Sequence, residues 1–269
     1  MRTIGSNLGR AIDVVELLAE FPDGERLSAI AQRLDLPKSA VHRLLAPLCA
    51  RGWAEQDDVT GRYRLSLRLA LLGHRVFQAT GFGDACQPIL ARLAAESREL
   101  VRMTFVQGDG LVWAASAQGA PPGLRYEPAM SGPVRLHATA NGKAWLASLS
   151  DAHARRVLRA VDLVRLTPCT IVARPALLRS LAAIRDRGWA LAEEEAETGV
   201  VAIAVPIPGP GRGTPVPGTL SIAGPAARLP QTRHAELAAA LGAAAREIAR
   251  FWGVPDSRAD DARTGAGHR

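Results

Sequence analysis

Lys38, Ser39, His42 and Arg43 combine a spacing and a chemistry that a merely buried helix does not need. At helical pitch they share one side, while Val41, Leu44, Leu45 and Leu48 take the other. Arg43 and Lys38 can donate to O6 and N7 of guanine, and Ser39 or His42 can meet a base edge or a phosphate. The free amides at the start of such a helix also favour a phosphate. Arg62 and Arg64 follow the turn "DDVTG"; Arg62 is expected at a hairpin tip, where it would suit the DNA backbone or minor groove.

Catalytic and metal chemistry have no matching pattern. His42, His74, His137, His153, His234 and His268 lack metal spacing, and neither HExxH nor GxSxG occurs. Cys49, Cys86 and Cys169 lie far apart without a CxxC pair, which argues against a disulfide framework or a zinc site. "NGKA" resembles a phosphate loop only in part. His137 stands where the earlier glycine is required, and Ala144 cannot ligate magnesium. Glu193, Glu194 and Glu195 are consecutive, and a strand alternates its faces, so a solvated edge with one inward carboxylate is expected. No cofactor and no metal are expected.

The elements that must position these groups can be read from periodicity. Residues 8–20 carry Leu8, Ile12, Val15 and Leu18, with Ala11 and Ala19 beside them, as the inner stripe of a helix. "FPDGE" breaks it, and Ser28 is expected to cap a short helix reaching Leu34. "DLP" turns into the third helix, which runs to about Ala50, carries Pro47 at a cost, and stops at Gly52. Residues 53–56 and 62–65 then read as a hairpin. Three short helices and a hairpin make a winged helix-turn-helix, the leading end of whose third helix enters a major groove. The plainer alternative is a structural three-helix unit with a solvated charged face.

Residues 66–80 keep a helical period as a linker helix, and the domain boundary is expected near 73–83. A helix over 84–100 and strands over 101–107 and 111–117, around "GDG", come next. Helices over 138–150, 151–161 and 175–187 precede strand candidates at 189–195, 200–209 and 216–224, and a long helix at 230–252 closes the pattern. The expected class is α+β: winged domain 1–66, linker 67–82, a sensor-type domain 83–253, and a disordered tail 254–269. A length of 269 residues suits two domains, and 48% hydrophobic residues suffice for their cores. Net charge +7 fits an anionic partner, although Arg- and Ala-rich composition also follows from GC-rich coding. The start "MRTIGSNLGR" lacks a signal-like apolar run, and no stretch is apolar enough to span a bilayer, so a cytoplasmic protein without a membrane partner is expected.

"LPKSAVHRLLAPLCARGWAEQDDVTGRYRL" resembles the DNA-binding motif of the IclR family of bacterial transcriptional regulators. "LHATANGKAWLASL" is similar to that family's helix after the second-domain hairpin. "RPALLRSLAAIRDRGWALAEEEAETGVVAIAVPI" followed by "GTLSIAGP" is similar to its signature segment. The resemblance implies a homodimer or tetramer on a palindromic double-stranded operator, with the linker helix and part of the winged domain building the dimer. It also implies a GAF-like α/β domain that binds a small effector, often an organic or aromatic acid. The matching effector positions are Ala140, Asn141, Ala202, Ser221 and Ala223, with Glu193 at the pocket edge. Members often carry Cys at the place of Ala202 and a second Ser at that of Ala223, so a less polar or bulkier effector is expected. His137 reads as a pocket donor or a helix-start hydrogen bond. Trp113, Trp145 and Trp189 read as core, with Trp189 also able to line the pocket. Two other classes stay open on these residues: an enzyme with an accessory winged domain, and an architectural protein that coats DNA without an operator.

Overall fold

The computed structural model describes residues 6–79, 82–128, 134–211 and 213–251. The tail expected from 254, Trp252 and the junction at 80–81 lie outside the described residues. The chain divides into two compact units, Met1–Ala79 and Thr80–Arg269.

In the first unit, α1 (Asn7–Ala19) begins where the Ser6 hydroxyl accepts the Gly9 N–H at 3.0 Å, satisfying an amide that the helix leaves free. Strand β1 (Glu25–Arg26) leads into α2 (Leu27–Leu34), which Asp35 ends in the left-handed region (φ 54°). α3 (Lys38–Ala50) follows, then β2 (Ala54–Gln56), β3 (Arg62–Leu65) and α4 (Leu67–Ala79). Val14 and Leu18 of α1, Ile30 and Ala31 of α2, and Val41, Leu44 and Leu45 of α3 meet Tyr63 of β3 in one apolar cluster. Gly52, at φ 69°, closes α3 and lets the Trp53 N–H reach back to the Leu48 carbonyl at 2.8 Å, a cap that needs a positive φ.

Several details differ from the sequence expectation. The buried residues of α1 are Val14 and Leu18, whereas Leu8 and Ile12 are 72% and 49% exposed. Apolar residues surround most of that helix, so its pattern allowed two stripes, and contact with α3 takes the one centred on Val14. Ser28 is not a cap. The backbone stays extended through Arg26 because β1 pairs with β3, and α2 starts at Leu27 with no side-chain cap. That pairing makes the wing a three-stranded sheet, ordered β1-β3-β2, rather than a hairpin alone. On α4, Leu67, Leu71 and Leu72 are 81%, 59% and 44% exposed, an apolar stripe with water on it.

The second unit is built on a five-stranded antiparallel sheet ordered β5-β4-β8-β7-β6. Its strands are β4 (Leu100–Gln107), β5 (Gly110–Gln118), β6 (Ala190–Glu193), β7 (Val200–Ile207) and β8 (Gly218–Pro225). α5 (Phe82–Ser97) and α9 (Gln231–Ala249) pack together on one face; α6 (Ala140–Ser148), backed by α8 (Arg174–Arg187), covers the other, with α7 (Asp151–Ala160) beyond it. The helix expected to reach residue 100 ends at Ser97, because Arg98 turns to φ 59° and Leu100 already pairs in the sheet. All of residues 140–147 are buried. Gly142 allows this. A Cβ there would sit 2.3 Å from the Leu136 Cα, so α6 lies against that backbone as only glycine permits.

Candidate functional site

Lys38, Ser39, His42 and Arg43 are all exposed on α3, while Val41, Leu44 and Leu45 behind them are buried. The helix thus turns one basic side to solvent and fixes the other in the core. Pro47 sits on the exposed side and supplies no N–H to the Arg43 carbonyl. The wing differs from its expected form. Arg62 is not at the tip: it lies in β3, half-buried, and donates from Nη1 to the Gly24 carbonyl at 3.0 Å. Arg64 is exposed and donates to Glu55 Oε1 at 2.7 Å across the β2–β3 pair. The tip itself is acidic. Asp57 accepts the Val59 and Thr60 amides and the Thr60 hydroxyl; those bonds, the Thr60 amide foremost, hold its carboxyl below the usual range. Asp58 beside it is exposed.

In the second unit, Ala140, Asn141, Ala202, Ser221 and Ala223 come together around one cavity of about 30 Å³. Glu193 does not line it and is exposed. β6 ends there, Glu194 turns to φ 53°, and the chain delivers Glu197 to the cavity instead. The sequence reading also missed Arg102 and Tyr126, which border the same space. Arg102, from β4, is 7% exposed and its guanidinium lies over the Trp113 ring at 3.4 Å. Its Nε is buried with no hydrogen-bond partner among the described residues. Burial pushes this guanidinium down to about 10, opposed by the Tyr126 phenol, so it is still a cation at neutral pH. Burial raises Tyr126, Arg102 pulls it back, and Glu197 adds to the rise. The two alanines leave the β7–β8 wall apolar as expected. The charge on the opposite wall corrects the picture of a less polar cavity, and its small volume does not favour a bulkier ligand.

The other polar groups of the cavity are engaged. Asn141 Nδ2 donates to Thr219 Oγ1 at 2.9 Å, and the Ser221 hydroxyl donates to the Arg102 carbonyl at 3.3 Å. Thr139 caps α6 by accepting the Gly142 N–H at 3.0 Å. His137 is neither a pocket donor nor that cap; its Nε2 donates to the Val164 carbonyl at 2.9 Å. Trp145 is core as expected, and Trp189 sits edge-on to His234 under Arg187, away from the cavity. Lys143 of "NGKA" is 1% exposed and donates to Glu195 and to the Leu191 carbonyl. Burial lowers Lys143 and raises Glu195, each toward its neutral form, while their mutual attraction opposes both shifts. The pair pins the turn that carries Ala196 and Glu197 into the cavity. Among the described residues no cluster of His, Cys, Asp and Glu could hold a metal ion, and no helix is long and apolar enough to cross a membrane.

Residues 7–58 match the family described as the IclR helix-turn-helix domain, and residues 74–250 match bacterial transcriptional regulator IclR C-terminal. The chain belongs to the IclR family of bacterial transcriptional regulators. HTH-type transcriptional regulator BhcR of Paracoccus denitrificans is 34% identical over 90% of this chain and 85% of its own length. Transcriptional repressor IclR of Escherichia coli is 29% identical over 92% and 90%. An IclR homologue of Microbacterium hydrocarbonoxydans, solved with 4-hydroxybenzoate, superposes with TM-score 0.75 at 26% identity, covering 91% of this chain and 98% of that one. The IclR-type regulator of Alicyclobacillus acidocaldarius shares the fold with TM-score 0.83 at 24% identity, covering 92% and 98%. The IclR relatives are regulators and repressors, in line with the lack of catalytic motifs in the sequence.

Proposed function

We propose that this IclR-family chain acts in the cytoplasm as a homodimer or tetramer that sets two α3 helices on a palindromic operator, about one DNA turn apart. The observation that carries the reading is α3 itself, with Lys38, Ser39, His42 and Arg43 exposed over a buried Val41, Leu44 and Leu45. These four discriminate bases, while Arg62, Arg64 and the general basic surface hold phosphates, so affinity falls steeply with salt. The apolar residues that α1 and α4 leave in water, Leu8, Ile12, Leu67, Leu71 and Leu72, support self-association. Residues 1–66 serve as the DNA-binding domain, 67–82 as linker and 83–253 as the effector domain. A small effector occupies the cavity lined by Ala140, Asn141, Ala202, Ser221 and Ala223, with Glu197 in place of Glu193 at its edge; the 4-hydroxybenzoate complex of the Microbacterium relative supports a small organic ligand. Effector and DNA then change each other's affinity by the same factor.

The test is selection of genomic fragments by the purified protein at fixed salt, repeated with Arg43→Ala. A short palindrome recovered by wild type and blurred in the variant is the expected result. Featureless DNA from both would replace the operator reading with an architectural one.

A further inference from the structure

We propose that Arg102 is the specificity-determining anchor of the effector cavity, and that it takes the carboxylate of a small monocarboxylic acid; the proposal rests on the effector reading above. Arg102 is 7% exposed, yet no hydrogen bond or ion pair engages its guanidinium among the described residues, and Nε is orphaned. A buried cation without a counter-charge is costly to keep, so a fold that retains one is matched to an anion that arrives later. Inside the protein that attraction is far stronger than in water. The remaining polar groups point the same way by exclusion. Asn141 is bonded to Thr219, Ser221 to the Arg102 carbonyl and Tyr126 to Glu197, which leaves the guanidinium as the cationic donor of this cavity among the described residues.

Geometry narrows the ligand. The guanidinium is a flat fork of donors that meets a carboxylate through two parallel bonds. Trp113 holds its plane at 3.4 Å, so little freedom remains to be lost on binding. β4 shifts register against β5 between Met103 and Thr104, one residue beyond Arg102, and such an irregularity re-aims a strand's side chains. The cavity of about 30 Å³ has room for a carboxylate and little more. The rest of the acid must therefore take the place of Tyr126, whose segment belongs to neither the sheet nor α6. Glu197 at the exposed rim disfavours a second negative charge, which selects one carboxylate over two.

The experiment uses the full chain with acetate, benzoate and 4-hydroxybenzoate, each against its primary amide, in a chloride-poor buffer, read by melting temperature and Trp fluorescence. At least one acid should bind wild type, its amide should not, and Arg102→Gln should weaken that acid by at least about tenfold, the order expected for a charge-assisted hydrogen bond. Unliganded Arg102→Gln should melt at or above wild type, because an unpaired buried charge is removed. Silence from all three acids, equal binding of acid and amide, or undiminished binding by Arg102→Gln overturns the proposal. So does a lower melting temperature of the unliganded variant, which would make Arg102 a packing residue on Trp113. An acid that binds through Arg102 yet leaves DNA affinity unchanged upholds the anchor and overturns instead the coupling between effector and DNA.

Discussion

The cations of α3 and those of the second unit's interior are the same residue types under opposite physics. Lys38 and Arg43 stand in water, where each attraction is weak, screened and cheap to maintain. Their value comes from number, as on a polyanion whose counterions are released together. Lys143 and Arg102 are 1% and 7% exposed, where a single charge is expensive alone and strong when met. One of these is paired with Glu195 and the other has no counter-ion among the described residues. Side by side they teach that burial, more than residue type, separates a surface that reads many phosphates from a point that grips one anion.

The largest effect that could break this contrast is on stability. Lys143→Met should cost the second unit about 3–5 kcal/mol by stranding Glu195, measured by denaturant unfolding, whereas Lys143→Met with Glu195→Leu should recover most of it. The sign with pH is fixed by Glu195, whose carboxyl burial raises. A carboxyl raised on folding contributes stability at low pH that is lost as pH climbs through the raised value. The single variant should therefore gain melting temperature as pH is lowered from neutral toward the ordinary carboxylate range; a steady loss over that window would mean Glu195 is not the stranded group. On the exposed side, Arg43→Ala should lower the preference for operator over random DNA by about 1–3 kcal/mol with little change in stability. An unchanged ratio would remove Arg43 as a base reader.

Arg62 lies between the two regimes. Arg62→Ala should weaken binding to all sequences alike, and should also destabilise the wing by about 0.5–1.5 kcal/mol through the lost bond to Gly24. A loss confined to the operator would contradict a backbone role. The smallest effect sharpens the cavity's rim: Glu197→Gln should narrow, by a fewfold, the preference for monocarboxylates over dicarboxylates in a competition assay. No change would mean that the rim charge does not reach the ligand.

The winged unit was legible because its helices and turn carry strong local signals: the apolar set on α3, the "DLP" turn and Gly52. β1 escaped because two residues are too few to show alternation, and its pairing with β3 is long-range. That pairing also displaced the helix start from Ser28 and drew Arg62 inward. In the second unit, sequence likeness located five cavity residues but put Glu193 among them. The left-handed turn at Glu194, which no periodicity encodes, sends Glu195 to Lys143 and Glu197 to the cavity. Arg102 had a readable signal, a lone cation within the apolar run "LVRMTFV". The strand pattern was used there only to locate the strand.

α6 has a further consequence. With residues 140–147 all buried and only Ser148 exposed at its end, it has little solvent face from which to fray, and its interior amides are expected to exchange with deuterium only when the second unit opens. That wall of the cavity is then expected among the slowest-exchanging parts of the second unit, together with β8, whose residues 218–224 are likewise buried. A ligand signal cannot be carried by loosening it, and must travel through β4 and the Tyr126 segment opposite, where a protection difference between free and liganded protein would be found.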